Sequence, residues 1–161
     1  MTILTGHPRG WRRAFLRAPI LLYQLRLGWL LGQRFVMLGH VGRRSGALRR
    51  TVLEVVRRDP ESATYTVASA FGGRDSHWFS NIEKAPDVEI TVGARRRRAL
   101  AVPLSAREGE QAFRDYASRH PRAWAQLFRL ILGNRFDGSD EAFRAIAESV
   151  PAVDLRIDER T

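Results

Sequence analysis

Two runs of apolar and β-branched residues, Phe35-Val36-Met37-Leu38-Gly39-His40-Val41 and Thr51-Val52-Leu53-Glu54-Val55-Val56, flank the stretch Gly42-Arg43-Arg44-Ser45-Gly46-Ala47-Leu48-Arg49-Arg50. Such runs read as β-strands, and the glycines between them read as a turn. A hairpin is therefore the unit around which the remaining chain must fold. Its connection carries four arginines, Arg43, Arg44, Arg49 and Arg50. Backbone N–H groups at a glycine-bracketed turn, beside guanidinium forks, make a site for phosphate or carboxylate. The plainer alternative is a solvated charged turn.

With 161 residues, 44% hydrophobic content and four tryptophans, the chain reads as a single folded domain over residues 1–161. It has no cysteine, which excludes disulfides, thiolate metal sites and a cysteine nucleophile, and fits a reducing cytoplasm. The net charge is +10, and Lys84 is the only lysine among the 27 basic residues. Such a surface attracts anions: a polyanionic cofactor, an acidic membrane or nucleic acid.

Residues 10–32 read as an N-terminal amphipathic helix with a broad apolar surface and a polar stripe of Arg13, Arg17 and Gln24. It either packs on the core or lies on an anionic membrane surface through Trp11 to Leu31. No uncharged span approaches the ~20 residues of a transmembrane helix. The expectation is a cytoplasmic protein with weak peripheral contact at the inner face of the cell membrane.

Residues 35–104 read as strands and binding loops. After the first hairpin come a strand over Ala63–Ser69 and a short helix over His77–Glu83. Val88, Ile90 and Val92 then alternate with polar residues, and Leu100, Val102 and Leu104 alternate as their hairpin partner. Residues 105–161 read as helices and a last strand. Ser105 and Glu108 open a helix with a capping-box pattern, Pro121 and Ser139 open two more, and Val153, Leu155 and Ile157 form the strand. The order predicts an α+β fold, a small antiparallel barrel with helical flanks.

Catalytic machinery is not legible. His7, His40, His77 and His120 lack metal-ligand spacing, no metal site is expected, and no Gly-x-Ser-x-Gly turn occurs. A cofactor must then carry the chemistry. A second binding segment is Val67–Asn81, where a strand meets Gly72-Gly73 and a helix N-terminus, with Arg74 adding charge. Asn81 is a poor helix former, better suited to fixing a loop or ligand.

Gly42-Arg43-Arg44-Ser45-Gly46, then Arg49-Arg50-Thr51, then Ala68-Ser69 and Gly73-Arg74-Asp75-Ser76-His77-Trp78-Phe79-Ser80-Asn81 resemble the deazaflavin-dependent nitroreductase family of actinobacteria. The resemblance implies a split β-barrel and a homodimer. It implies coenzyme F-420, the 8-hydroxy-5-deazaflavin, in preference to FMN. The reaction implied is hydride transfer to a small lipophilic, electron-poor acceptor, a quinone or nitro compound. Carried over, Arg43, Arg44, Ser45, Gly46, Arg49 and Arg50 hold the cofactor's phosphate and acidic tail. Ala68, Ser69, Gly72 and Gly73 cradle the ring, Arg74 adds charge, and Trp78 and Asn81 shape the pocket. Arg44 stands where the family has lysine, Leu48 and Val52 replace prolines, and Phe79 replaces tyrosine. Two other readings stay open. One is an FMN-binding split barrel. The other is a non-enzymatic anion binder, a cofactor carrier or a lipid or nucleic-acid module using Arg95 to Arg98. No RNA-recognition strand pattern or helix-turn-helix appears, so no nucleic acid is expected.

Overall fold

The computed structural model describes residues 33–69, 73–132 and 137–158. The N-terminal stretch 10–32, with the membrane contact expected of it, and Gly72 lie outside the described residues. Six strands, β1 (Phe35–Val41), β2 (Leu48–Asp59), β3 (Thr64–Ala68), β4 (Asp87–Val92), β5 (Arg95–Pro103) and β6 (Ala152–Ile157), close into a barrel in the order β1-β2-β3-β6-β5-β4. Every neighbouring pair is antiparallel. A 3-10 turn (Gly73–Asp75) and helix α1 (His77–Lys84) connect β3 to β4. Helices α2 (Ala106–Arg119), α3 (Pro121–Leu132) and α4 (Asp140–Ser149) connect β5 to β6. The fold is α+β, a split barrel with helical flanks.

Strand alternation fills the barrel. Val36, Leu38, Leu53, Val67, Ile90, Val153 and Leu155 are almost wholly buried inside it, joined by Trp78, Phe79 and Ile82 of α1. Each such side chain contributes about 1.5–3 kcal/mol by leaving water. Helices α2 to α4 build a second core on the outer surface, where Phe113, Trp124, Phe128, Phe143 and Ile146 pack with Ala68 and Ala152. Trp124 and Phe143 stack there with centroids 5.4 Å apart. Val56 links the two layers. It is the extra residue of a bulge between Val55 and Arg57, and it turns outward into the helical core.

The expected helix starts hold. Ser105 and Glu108 form a reciprocal capping box, and the Ser139 hydroxyl accepts from the Ala142 backbone. Two sequence expectations are corrected. Leu100 and Val102 do not face inward on β5; Ala99 and Ala101 do, and Leu100 is 43% exposed. The large α1 side chains share that interior, which leaves space at β5 for methyl groups only. The second strand is also longer than expected, so Arg49 and Arg50 belong to β2 and not to the turn. Arg95 to Arg98 likewise form the start of β5, where Arg96 pairs with Glu89. No described helix is long and apolar enough to cross a membrane.

Candidate cofactor site

The β1–β2 turn closes on itself before it can meet a ligand. Gly42 N–H donates to the Ala47 carbonyl and Gly46 N–H to the Gly42 carbonyl, both at 2.8 Å. Gly46 has φ +67°, the left-handed region that glycine enters without steric cost. A Cβ on Gly42 would lie 2.9 Å from Ser45 Oγ. That hydroxyl accepts from Ala47 N–H at 3.3 Å, so Ser45 serves first as a turn former.

Helix α1 pins the turn from the side. Asn81, 4% exposed, accepts at Oδ1 from the Arg43 backbone N–H at 3.0 Å and from Arg43 Nη1 at 3.2 Å. Its Nδ2 lies 3.0 Å from His40 Nδ1. Because Asn81 Oδ1 faces two donors, its amide nitrogen must face an acceptor, so His40 is neutral with its proton on Nε2. Lys84 Nζ donates to the Arg43 carbonyl at 3.1 Å. Burial pushes the His40 imidazole down to about 4, with the charge of Arg49 adding to the effect. Arg49 is the cross-strand partner of His40, and Arg50 is that of Gly39. Consecutive strand residues face opposite ways, so these two guanidinium groups leave the sheet on opposite faces.

The second segment divides between structure and open chemistry. Gly73 has φ +50°, and a Cβ there would meet the Ser149 carbonyl at 2.8 Å. Arg74 donates from Nε to the Glu148 carbonyl at 2.9 Å and from Nη2 to the Ala147 carbonyl at 3.3 Å. It thereby satisfies the last turn of α4, a structural use of a residue expected to meet the cofactor. Ala68 is packed in the outer helical core, and Ser69 follows it at the end of β3. Trp78 Nε1 and Ser76 Oγ are buried with no hydrogen-bond partner among the described residues. Trp78 meets the ring of Phe79 edge-on, with centroids 5.7 Å apart.

A tailed deazaflavin fits these donors. Arg44, Arg49 and Arg50 are exposed, and none is bonded to another described side chain, while two orphaned polar atoms lie by α1. Among the described residues no group of His, Asp or Glu could hold a metal ion. A family model for F420H(2)-dependent quinone reductase matches residues 24–126. The chain belongs to that family. It is accordingly an oxidoreductase of the deazaflavin-dependent class. Structural neighbours share its fold. An F420-H2 dependent reductase (FDR-A) is 19% identical, with TM-score 0.51 over 78% of this chain and 96% of that one. A chain solved as a domain-swapped dimer is 19% identical, with TM-score 0.53 over 91% and 97%. A pyridoxamine 5′-phosphate oxidase candidate from Listeria innocua is 12% identical, with TM-score 0.52 over 86% and 94%. No curated protein matches the chain.

Sequence reasoning missed His40 and Lys84. The signal for His40 was its place two residues beyond Leu38 on an inward-facing strand; its partner stands 41 residues away.

Proposed function

We propose that the chain binds reduced coenzyme F-420 at the β1–β2 turn and passes a hydride to a lipophilic quinone, with nitro compounds as acceptors of the same electron-poor class. The observation that carries this reading is the Asn81 clamp. It fixes the Arg43 backbone and guanidinium from inside, so the turn is rigid before a ligand arrives. Arg43, Arg44 and Arg49, which shares the His40 side of β2, would hold the phosphate and acidic tail through charge-assisted bonds, while Arg50 leaves by the opposite face. Gly46, where an added Cβ meets nothing within 4 Å, leaves the backbone open to approach. Ser76 Oγ and Trp78 Nε1 are the polar groups by α1 that the ring side would satisfy, with Ser69 and Gly73 in the connection from β3 to α1. The bound deazaflavin supplies the hydride, and the chain's own residues bind it, orient it and exclude water.

The partner is a second copy of the chain. Val41, Leu48 and Leu100 are 39%, 54% and 43% exposed, and all three line one groove of about 510 Å³. Pairing two such faces would bury that apolar surface.

The test is anaerobic turnover of reduced F-420 with a soluble quinone, followed by the return of oxidised cofactor fluorescence. Enzyme-dependent oxidation, weakened in Asn81→Ala, is expected. Oxidation no faster than the quinone alone gives, with FMN bound instead, would contradict the reading.

A further inference from the structure

Two cavities meet at the end of β2 remote from the glycine turn, with Arg57 and Arg58 in both linings. The larger, about 670 Å³, has three arginines (Arg57, Arg58, Arg156) facing three aspartates (Asp59, Asp115, Asp154), so its charges balance. The smaller, about 270 Å³, is lined by Gln33, Arg34, Arg57, Arg58, Tyr116 and Arg119 among others, and no carboxylate lines it.

Two carboxylates act on that smaller cavity from behind its wall. Glu54 takes Arg34 at 3.3 Å, and Asp115 takes Arg119 at 3.1 Å. Arg57 and Arg58 form no ion pair with a described residue. Arg58 donates to the neutral Gln33 side chain and lies 5.7 Å from the Tyr65 ring centroid. Asp59 and Glu108 feel the charge of Arg57 only at longer range. Arg57 and Arg58, which also face the aspartates of the larger cavity, thus reach the smaller one without an ion pair of their own.

The guanidinium groups are also held ready. Glu54 pins one edge of Arg34, and the Val56 carbonyl pins Arg119 at 2.8 Å, while Gln33 pins Arg58. Each keeps further N–H groups for a ligand. Tyr116, 3% exposed, spends its proton on Glu54 at 2.5 Å and makes a fixed wall.

We propose that this cavity is a second anion site, taking a compact oxyanion: the phosphate or carboxylate group of a small molecule. It is separate from the glycine turn, since the eight residue steps of β2 from Arg49 to Arg57 span roughly 26 Å. It does not rest on the cofactor reading.

The experiment is calorimetric titration of the full chain with pyrophosphate at low ionic strength, with citrate as the carboxylate probe. In an Arg44→Ala/Arg49→Ala background, which weakens the turn, one site is expected to persist. Adding Arg57→Glu should lower its affinity at least tenfold, whereas Arg57→Lys should keep it within about threefold. Arg57 makes no bond with a described side chain, so its variants are expected to fold; unchanged melting without ligand checks this, and Arg57→Ala serves if the reversal disturbs the fold. Binding of only one probe would identify the oxyanion as phosphate or carboxylate. Loss of all binding in the turn background alone, or equal binding by Arg57→Glu and its parent, would overturn the proposal.

Discussion

Asn81 Nδ2 lies 3.0 Å from His40 Nδ1, deep in the barrel mouth, and this contact fixes which way the Asn81 amide points. With the nitrogen committed to His40, the oxygen is left for Arg43, whose backbone N–H and guanidinium it receives together. A buried histidine on β1 thereby sets the conformation of the arginine turn that follows it.

Asn81→Ala removes all three hydrogen bonds and leaves the Arg43 N–H and His40 Nδ1 without partners. A loss of about 2–4 kcal/mol in stability is expected, read by urea denaturation. Asn81→Asp keeps the acceptor for Arg43 but removes the donor to His40. It is expected to cost less, and to raise the His40 pKa by placing a carboxylate beside the ring. Equal losses in the two variants would show that His40 plays no part in the clamp.

Acid should weaken the fold through His40. Its folded pKa, about 4, is below the ordinary 6.5, so the unfolded chain binds the extra proton between those values. The His40 contribution is therefore fully present above pH 6.5 and is lost as pH falls towards 4, by at most about 3 kcal/mol. His40→Gln should flatten stability over that window. A wild-type curve already flat there would contradict the assignment.

Gly73 and Gly46 both have positive φ, yet they should respond differently to alanine. At Gly73 the new Cβ meets the Ser149 carbonyl at 2.8 Å, while at Gly46 nothing lies within 4 Å. Gly46→Ala should cost about 1 kcal/mol from backbone strain alone. Gly73→Ala should cost about 2–4 kcal/mol, because the end of α4 must also move. Paired thermal melts decide it, and equal shifts would refute the close approach.

Much of this was legible in the chain. The run Phe35–Val41 is strand β1 to the residue, because β-branched residues end at a glycine on one side. The helix starts at Ser105 and Ser139 were equally plain, since capping is local chemistry. What was not legible was long-range. Leu100 looks like a core residue until α1 fills the interior and alanines take its place. Arg74, expected as a ligand contact, has a further structural role that shows only once α4, more than 60 residues later in sequence, presents its last carbonyls. His40 shows no role without Asn81. Each is a case of tertiary packing adding to or overriding a pattern that sequence can display only locally.

Trp78→Phe separates packing from ligand recognition. The ring and its edge contact with Phe79 are largely kept, and only the orphaned Nε1 is deleted. Stability should change by less than about 1.5 kcal/mol, because no protein hydrogen bond is lost. F-420 affinity should fall if this nitrogen faces the ring side. Unchanged affinity would remove Trp78 from the ligand contacts.

The most direct measurement is a fluorescence titration with F-420 across a salt series, on the wild type and on Arg44→Ala and Arg49→Ala. Exposed guanidinium groups meeting an anionic tail are screened by salt. Affinity is predicted to fall steadily from low to high ionic strength, and each variant to bind roughly tenfold more weakly with a shallower salt dependence. Binding that ignores both salt and these arginines, or no binding at low salt, would contradict the assignment of the turn as the cofactor's anchor.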